Sequence, residues 1–350
     1  MFKIKSLFVL IVGLLLILAG CNSSSKSSSS SSESGSESSD DKVYTITYAH
    51  DHTTTSPFQI SAEKLKKELE ERSDGRFKVD IFPAMQLGTS REMIESMQMG
   101  NIQMVNLPVA SFSGFDKRMQ LVDMPFLFPN EDTLWEVLEG DIGAELLSGL
   151  EDVGLKGVTF VAEGYKELTN KYEIHSPEDL KGKRIRTMSS PVIMDTYKAW
   201  GANPVPIDFG EVYNSLQQNV VDGQENPLLS IHDMKFYEVQ DYMMMSDHSY
   251  LSYIQVVNKD WFNSLPEDLQ DILIDTTLEM AQDHKQLMAE KNKEYMENIK
   301  ESGIKIVELS EEEKAAFREA SQPVYDQYSD ELGDILDKTV KFIESKEGSE

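Results

Sequence analysis

The 350-residue chain contains a single cysteine, Cys21, and six histidines. One cysteine cannot close an internal disulfide, so a folded body must rely on its packed core. There is no G-x-S-x-G, no H-E-x-x-H, no phosphate-cradling glycine loop and no cysteine pair. The usual sequence support for a hydrolase, a zinc protease or a nucleotide-binding enzyme is therefore missing. Ser, Asp and His occur without triad-like spacing, and the chain reads as a non-enzyme with no cofactor. His50 and His52, in "HDH", can share a strand face, but zinc needs at least one further ligand, so no metal site is assigned. Basic residues are also scarce: 33 Lys and Arg against 61 Asp and Glu leave a net charge of −28. That balance excludes nucleic acid and anionic membrane surfaces as partners. An anionic ligand would need a locally positive pocket.

Long apolar runs are missing too, with one exception. Lys3 and Lys5 precede "LFVLIVGLLLILAG", which ends in small residues, so residues 1–20 read as a secretory signal. The run is shorter than the ~20 apolar residues of a membrane span. Its end, Leu18-Ala19-Gly20-Cys21, resembles the bacterial lipobox, whose cysteine is lipidated and becomes the mature N-terminus. Cys21 is thus the expected lipidation site and membrane attachment. Asn22 to Asp40 is almost entirely serine, and residues 21–42 are expected to form a flexible tether. Loss of Lys3 and Lys5 with the leader takes the charge to about −30. Anchor and tether imply a body, 43–350, held at the extracytoplasmic face of a cell membrane; the long serine tract suits a Gram-positive surface.

The body alternates strand and helix signals. "KVYTITYAH" sets Val43, Thr45 and Thr47 against Tyr44, Ile46 and Tyr48, the period of a strand. "SAEKLKKELEER" places Ala62, Leu65 and Leu69 on one helical face. "GRFKVDIFP" and "NIQMVNL" predict strands either side of the helix "SREMIESMQMG". One helix over Trp135–Leu150 precedes the strand "VTFVAEG". "SSPVIMDTYKAWG" predicts a helix with Ser190 as N-cap and Pro191 at its first position. "EVYNSLQQN" leads as a helix into "VVDGQEN", and "SYLSYIQVVN" is a buried strand. This alternation indicates an α/β fold with largely parallel sheets. Pro266 to about Gly303 has no internal Gly or Pro; its helix would run on the order of 55 Å and could cross between two lobes as a strut.

Three elements suit an anion. "KGKRIRTMSSP" puts Arg184 and Arg186 on one strand face just before a helix N-terminus, and a guanidinium with free helix N–H groups fits a carboxylate. Lys166, after the strand of "AEGYKELTN", can reach the same crevice, since open α/β sheets bind ligands at the carboxyl ends of their strands. "NVVDGQENPL" combines turn signals with a strand whose last polar residue is Asn226. Phe209, in "IDFGEVY", suits either core or cleft.

Together, "FPAMQLG", "DMPFLF", "SPEDLKGKRIRT", "WGANPVPIDFGEVYNSLQQNVVDGQENP" and "SDHSYLSYIQVVNKDWFNSLPEDLQ" resemble the solute-binding proteins of TRAP (tripartite ATP-independent) transporters, in the same order and over nearly the whole body. The resemblance implies a periplasmic-binding-protein-like pair of α/β lobes that close on an organic acid, joined by a long helix spanning both. Lobe I would comprise about 43–163 and 252–291, and lobe II about 164–251 and 292–345. It implies that Arg186 forms a bidentate salt bridge with the ligand carboxylate, that Asn226 supports it and that Phe209 packs beside it. His50, Asp51 or Asn106 would meet the ligand from the other lobe, and membrane permease subunits would be the partners. "GYK" before "LTN", "IRTMSSPV" and "SDHSYLSYIQVVNK" look most like the C4-dicarboxylate branch, with Lys166 for the second carboxylate. Sialic acid binders resemble the chain less: they carry arginine where Lys166 stands, and a glutamate and an arginine near Pro108 and Ser111. Sugar acids, 2-oxo monocarboxylates and a receptor serving a sensor kinase stay open as alternatives.

Overall fold

The computed structural model describes residues 42–347. The expected leader, Cys21 and the serine tract fall outside the described residues. Among those described, no helix is long and apolar enough to cross a membrane. The described residues form one compact unit.

Its strands are β1 (Tyr44–His50), β2 (Phe77–Phe82), β3 (Met104–Pro108), β4 (Leu155–Tyr165), β5 (Glu167–Asn170), β6 (Arg184–Thr187), β7 (Asn203–Pro206), β8 (Gly223–Asn226), β9 (Tyr242–Met245), β10 (Tyr250–Asn258) and β11 (Lys305–Glu308). The α-helices are α1 (Pro57–Arg72), α2 (Ser90–Gln98), α3 (Glu131–Leu138), α4 (Asp141–Gly149), α5 (Pro191–Ala199), α6 (Val212–Gln217), α7 (Leu228–Asp233), α8 (Lys259–Asn263), α9 (Glu267–Glu301), α10 (Glu311–Ala320), α11 (Gln322–Leu332) and α12 (Asp334–Glu347). Two sheets, ordered β2-β1-β3-β10-β4 and β11-β9-β5-β8-β6-β7, define two lobes.

The sheets are mixed rather than largely parallel. β10 runs antiparallel to both β3 and β4, and β5 antiparallel to both β8 and β9. The reason is the crossing between lobes. β4 passes into β5 through Lys166 alone, and β9 returns to β10 through residues 246–249, so the two crossing strands run side by side in opposite directions. The Lys166 backbone N–H donates to Ser249 O at 2.8 Å where they cross.

The 35-residue α9 makes the third crossing. Its early residues Leu269 and Leu273 pack with Ile46, Leu65 and Val79 of the first lobe; Ile299, near its end, packs with Val212, Phe236 and Met243 of the second. At 1.5 Å per residue it extends about 52 Å, consistent with the strut expected.

Two local expectations are corrected. The helix over Trp135–Leu150 is two helices, because the chain turns at Gly140; α4 then lies so close that a Cβ on Gly143 would stand 1.8 Å from Leu138 O. The stretch 292–345, expected in lobe II, divides. Phe317 of α10 does join the second lobe's core, but Val324, Leu332, Ile335 and Ile343 of α11 and α12 pack with Leu134 and Leu146 of the first.

Candidate ligand-binding site

The carboxyl ends of β1, β3, β6 and β8 converge between the lobes. There they border a cavity of about 230 Å³ lined by, among others, Asp51, Arg91, Arg186, Phe209, Asn226 and Tyr253. This is below the ~300–1,000 Å³ of drug-sized sites and suits a small metabolite.

Arg186 sits third in β6, on a strand paired with both β7 and β8, so its backbone is fixed on each side. The residue is only 2 % exposed. Its Nε donates to Ile207 O at 2.8 Å, whereas Nη1 is buried with no partner. Burial lowers its pKa to about 10, partly offset by Glu225, Asp208, Tyr253 and Asp51 acting through space. It is therefore a cation at neutral pH, with an unmet donor. Arg184, two residues earlier, is half exposed and is paired with Asp222 at 2.8 Å.

Asn226, at the end of β8, is buried, lines the cavity, and donates through Nδ2 to Gln224 Oε1. Phe209, half-buried, lines it too, its ring 6.0 Å from that of His52. The stretch "NVVDGQENPL" thus divides its labour. Asn219 takes a positive φ of 58° in the turn, Asp222 accepts the Arg184 backbone N–H, and Asn226 faces the cavity. Ser190 and Pro191 open α5 as expected, but the Ser190 hydroxyl donates to Asp123 Oδ2 at 3.1 Å instead of capping the helix.

The other named residues separate. Asp51 lines the cavity; its Oδ2 accepts from Tyr253 Oη at 3.3 Å and its Oδ1 is buried without a partner. Burial pushes its pKa up to about 7, against the pull of hydrogen bonds and Arg186. His50 and Asn106 pair across β1 and β3 but do not line the cavity. His50 shares a 2.9 Å hydrogen bond with Gln59, and burial lowers its pKa to about 4. Lys166 does not line the cavity either. It is 1 % exposed, with Nζ 3.6 Å from Asp123 Oδ1 and 3.4 Å from Glu225 Oε1. Glu225 is also 2.8 Å from His248 Nε2. Burial pushes Glu225 up, but Lys166, His248 and Arg186 pull it further down, to about 2. Lys166 is thus matched by two carboxylates of its own chain.

Sequence reasoning missed Tyr253 and Arg91. Tyr253 lay within a strand read as buried. Arg91 follows Thr89, whose capping box with Glu92 starts α2. That T-x-x-E pattern could have marked a helix start at the cleft. Behind Asp51, Glu163 of β4 accepts from Ser230 Oγ of α7 at 2.6 Å, a contact between lobes. Burial raises Glu163 to about 8 and holds His52 well below its usual value, so their 3.8 Å approach joins two uncharged groups at neutral pH.

Residues 48–331 match the bacterial extracellular solute-binding protein family 7. The chain belongs to this family. It is 32 % identical over 277 residues to the 2,3-diketo-L-gulonate-binding periplasmic protein YiaO of Escherichia coli, covering 79 % of this chain and 84 % of that one. The sugar-acid-binding protein DctPAm of Advenella mimigardefordensis, solved with galactonate, superposes with a TM-score of 0.84 at 29 % identity, over 87 % of this chain and 99 % of that one. A TRAP periplasmic solute-binding protein of Shewanella oneidensis with bound succinate gives 0.83 at 30 % identity, over 86 % and 99 %. As a family 7 member the protein is a non-catalytic, extracytoplasmic receptor for a small organic acid in a TRAP-type system, whose partner is a membrane permease.

Proposed function

We propose that the receptor captures its acid by clamping a carboxylate on the Arg186 guanidinium, with Asn226 and Phe209 beside it, and then delivers it to the permease. The observation that carries this reading is the buried, unpartnered Nη1 of Arg186 in the cavity wall. A buried cationic donor without a partner is costly, and a carboxylate is the group that satisfies it with two parallel bonds. A micromolar Kd, about −8 kcal/mol, is the expected scale. Titration calorimetry of wild type and Arg186→Ala against organic acids tests the reading; unchanged binding by the variant would refute it.

The finer reading, a C4-dicarboxylate, rested on the likeness of "GYK", "IRTMSSPV" and "SDHSYLSYIQVVNK" to that branch, supported by Lys166 as a second cation. With Lys166 enclosed by Asp123 and Glu225 and outside the cavity lining, that support is lost. Relatives bind sugar acids as well as succinate, so likeness alone favours neither. Attachment through a lipid on Cys21 rests on the lipobox-like junction. Cys21→Ser should release the protein from membranes into the medium, and a variant that stayed membrane-bound would argue against that anchor.

A further inference from the structure

One carboxyl of the cavity wall keeps an oxygen without a partner. Asp51 is 5 % exposed, follows β1 directly and lines the cavity, and its Oδ1 has no partner. A buried oxygen left unmet is a position where a ligand donor belongs. The Tyr253 hydroxyl already serves Oδ2 and fixes the carboxyl's orientation.

Charge restricts the donor. Arg186 presents the buried, unsatisfied cationic N–H of the cavity. The other guanidinium in the lining, Arg91, is 72 % exposed at its side chain and bonded to Glu95 Oε1 at 2.8 Å. Asp208 adds a second acidic group to the wall. A ligand with one carboxylate neutralises Arg186. A second carboxylate would face Asp51 in a site of low dielectric, where two like charges cannot both stay ionised without cost. The remaining polar wall is hydroxyl-bearing: Thr89, Ser90, Ser111 and Ser113 line the cavity. Hydroxyls exchange donor and acceptor roles freely, which suits a polyol chain.

We infer that Asp51 is the specificity-determining residue of this receptor, accepting a hydroxyl of the ligand and selecting polyhydroxylated monocarboxylates, of the sugar-acid class, over dicarboxylates. The inference rests on the carboxylate end being held by Arg186. A site built to receive a hydroxyl rejects analogues that lack it, because its buried acceptor is then left unpaired.

The test is calorimetric titration of the full chain and of Asp51→Asn, Arg91→Ala and Arg186→Ala at pH 8.5. Galactonate, glucuronate, succinate and butyrate serve as probes. Asp51, whose pKa is about 7, is ionised there. Wild type should bind a hexonate or hexuronate at least ten-fold tighter than succinate or butyrate. Asp51→Asn should lose ten-fold or more for the sugar acid while succinate binding holds or improves. Preference of wild type for succinate, with selective loss of succinate in Arg91→Ala, would overturn the inference and make Arg91 the second anchor. Equal loss for every acid in Asp51→Asn would also overturn it, marking a structural role. So would butyrate binding as well as galactonate. In those three outcomes the Arg186 reading survives if Arg186→Ala abolishes binding; binding retained in Arg186→Ala would sink both.

Discussion

A guanidinium taken out of water needs its donors met, or it weakens the fold that buries it. Arg186 has Nε met by Ile207 O and Nη1 buried without a partner, and the proposed carboxylate would complete the set. Arg186→Ala should cost about 3 kcal/mol or more of binding while leaving the circular dichroism spectrum unchanged. Arg186→Lys should recover only part of this, because an ammonium cannot form the paired bonds. Glu163 yields a prediction of another kind. Its pKa of about 8 lies above the ordinary 4.5, so the native state keeps a proton that the unfolded chain releases. Its contribution to stability is complete below about pH 4.5 and lost as pH rises through about 8. Glu163→Gln should flatten this slope, gaining at most a few kcal/mol over wild type at pH 9 in denaturant melts. Parallel slopes in the two proteins would contradict the buried, protonated state.

Helix α2 shows how a local sequence signal serves the site. Thr89 and Glu92 form a reciprocal cap, and the same turn lines the cavity. Thr89→Ala should cost about 1 kcal/mol of stability by thermal melting. A neutral substitution would mean that the cap is redundant. In α9, Ile299→Ala should cost roughly 2–5 kcal/mol, because it opens a void in the second lobe's core. The long helix was legible because apolar residues recur over many turns without Gly or Pro. β5, β7 and β9 were not, and each has four residues. "ELTN" is polar because Glu167 faces a buried polar junction, where its Oε2 accepts from Ser246 N. "NPVP" carries two prolines, tolerated because β7 is an edge strand. "YMMM" lacks the β-branched residues that announce a strand.

Two cores joined by two strand crossings and α9 put the cavity where the lobes face each other. Thr53 Oγ1 to Asp233 Oδ2 at 3.4 Å and Ser190 Oγ to Asp123 Oδ2 at 3.1 Å link the lobes near it. The place of Arg186 in the cavity wall was legible because an arginine before a helix start has a direct chemical meaning. The role of Lys166 was not, because its partners Asp123 and Glu225 lie 43 and 59 positions away in the sequence and come together only across the fold. The molecule's net charge of −28 repels the anion it binds. Salt should therefore speed association, since charges beyond about 8 Å are screened at physiological ionic strength, while the proposed contact with the buried Arg186 should change little. Stopped-flow association rates that fell with added salt would contradict that field. The most direct measurement is calorimetric titration of residues 41–350, the compact unit, against sugar acids and dicarboxylates, with and without Arg186→Ala. Saturable one-to-one binding by wild type that disappears in the variant is the predicted result. Undiminished binding in Arg186→Ala would place the anchor elsewhere.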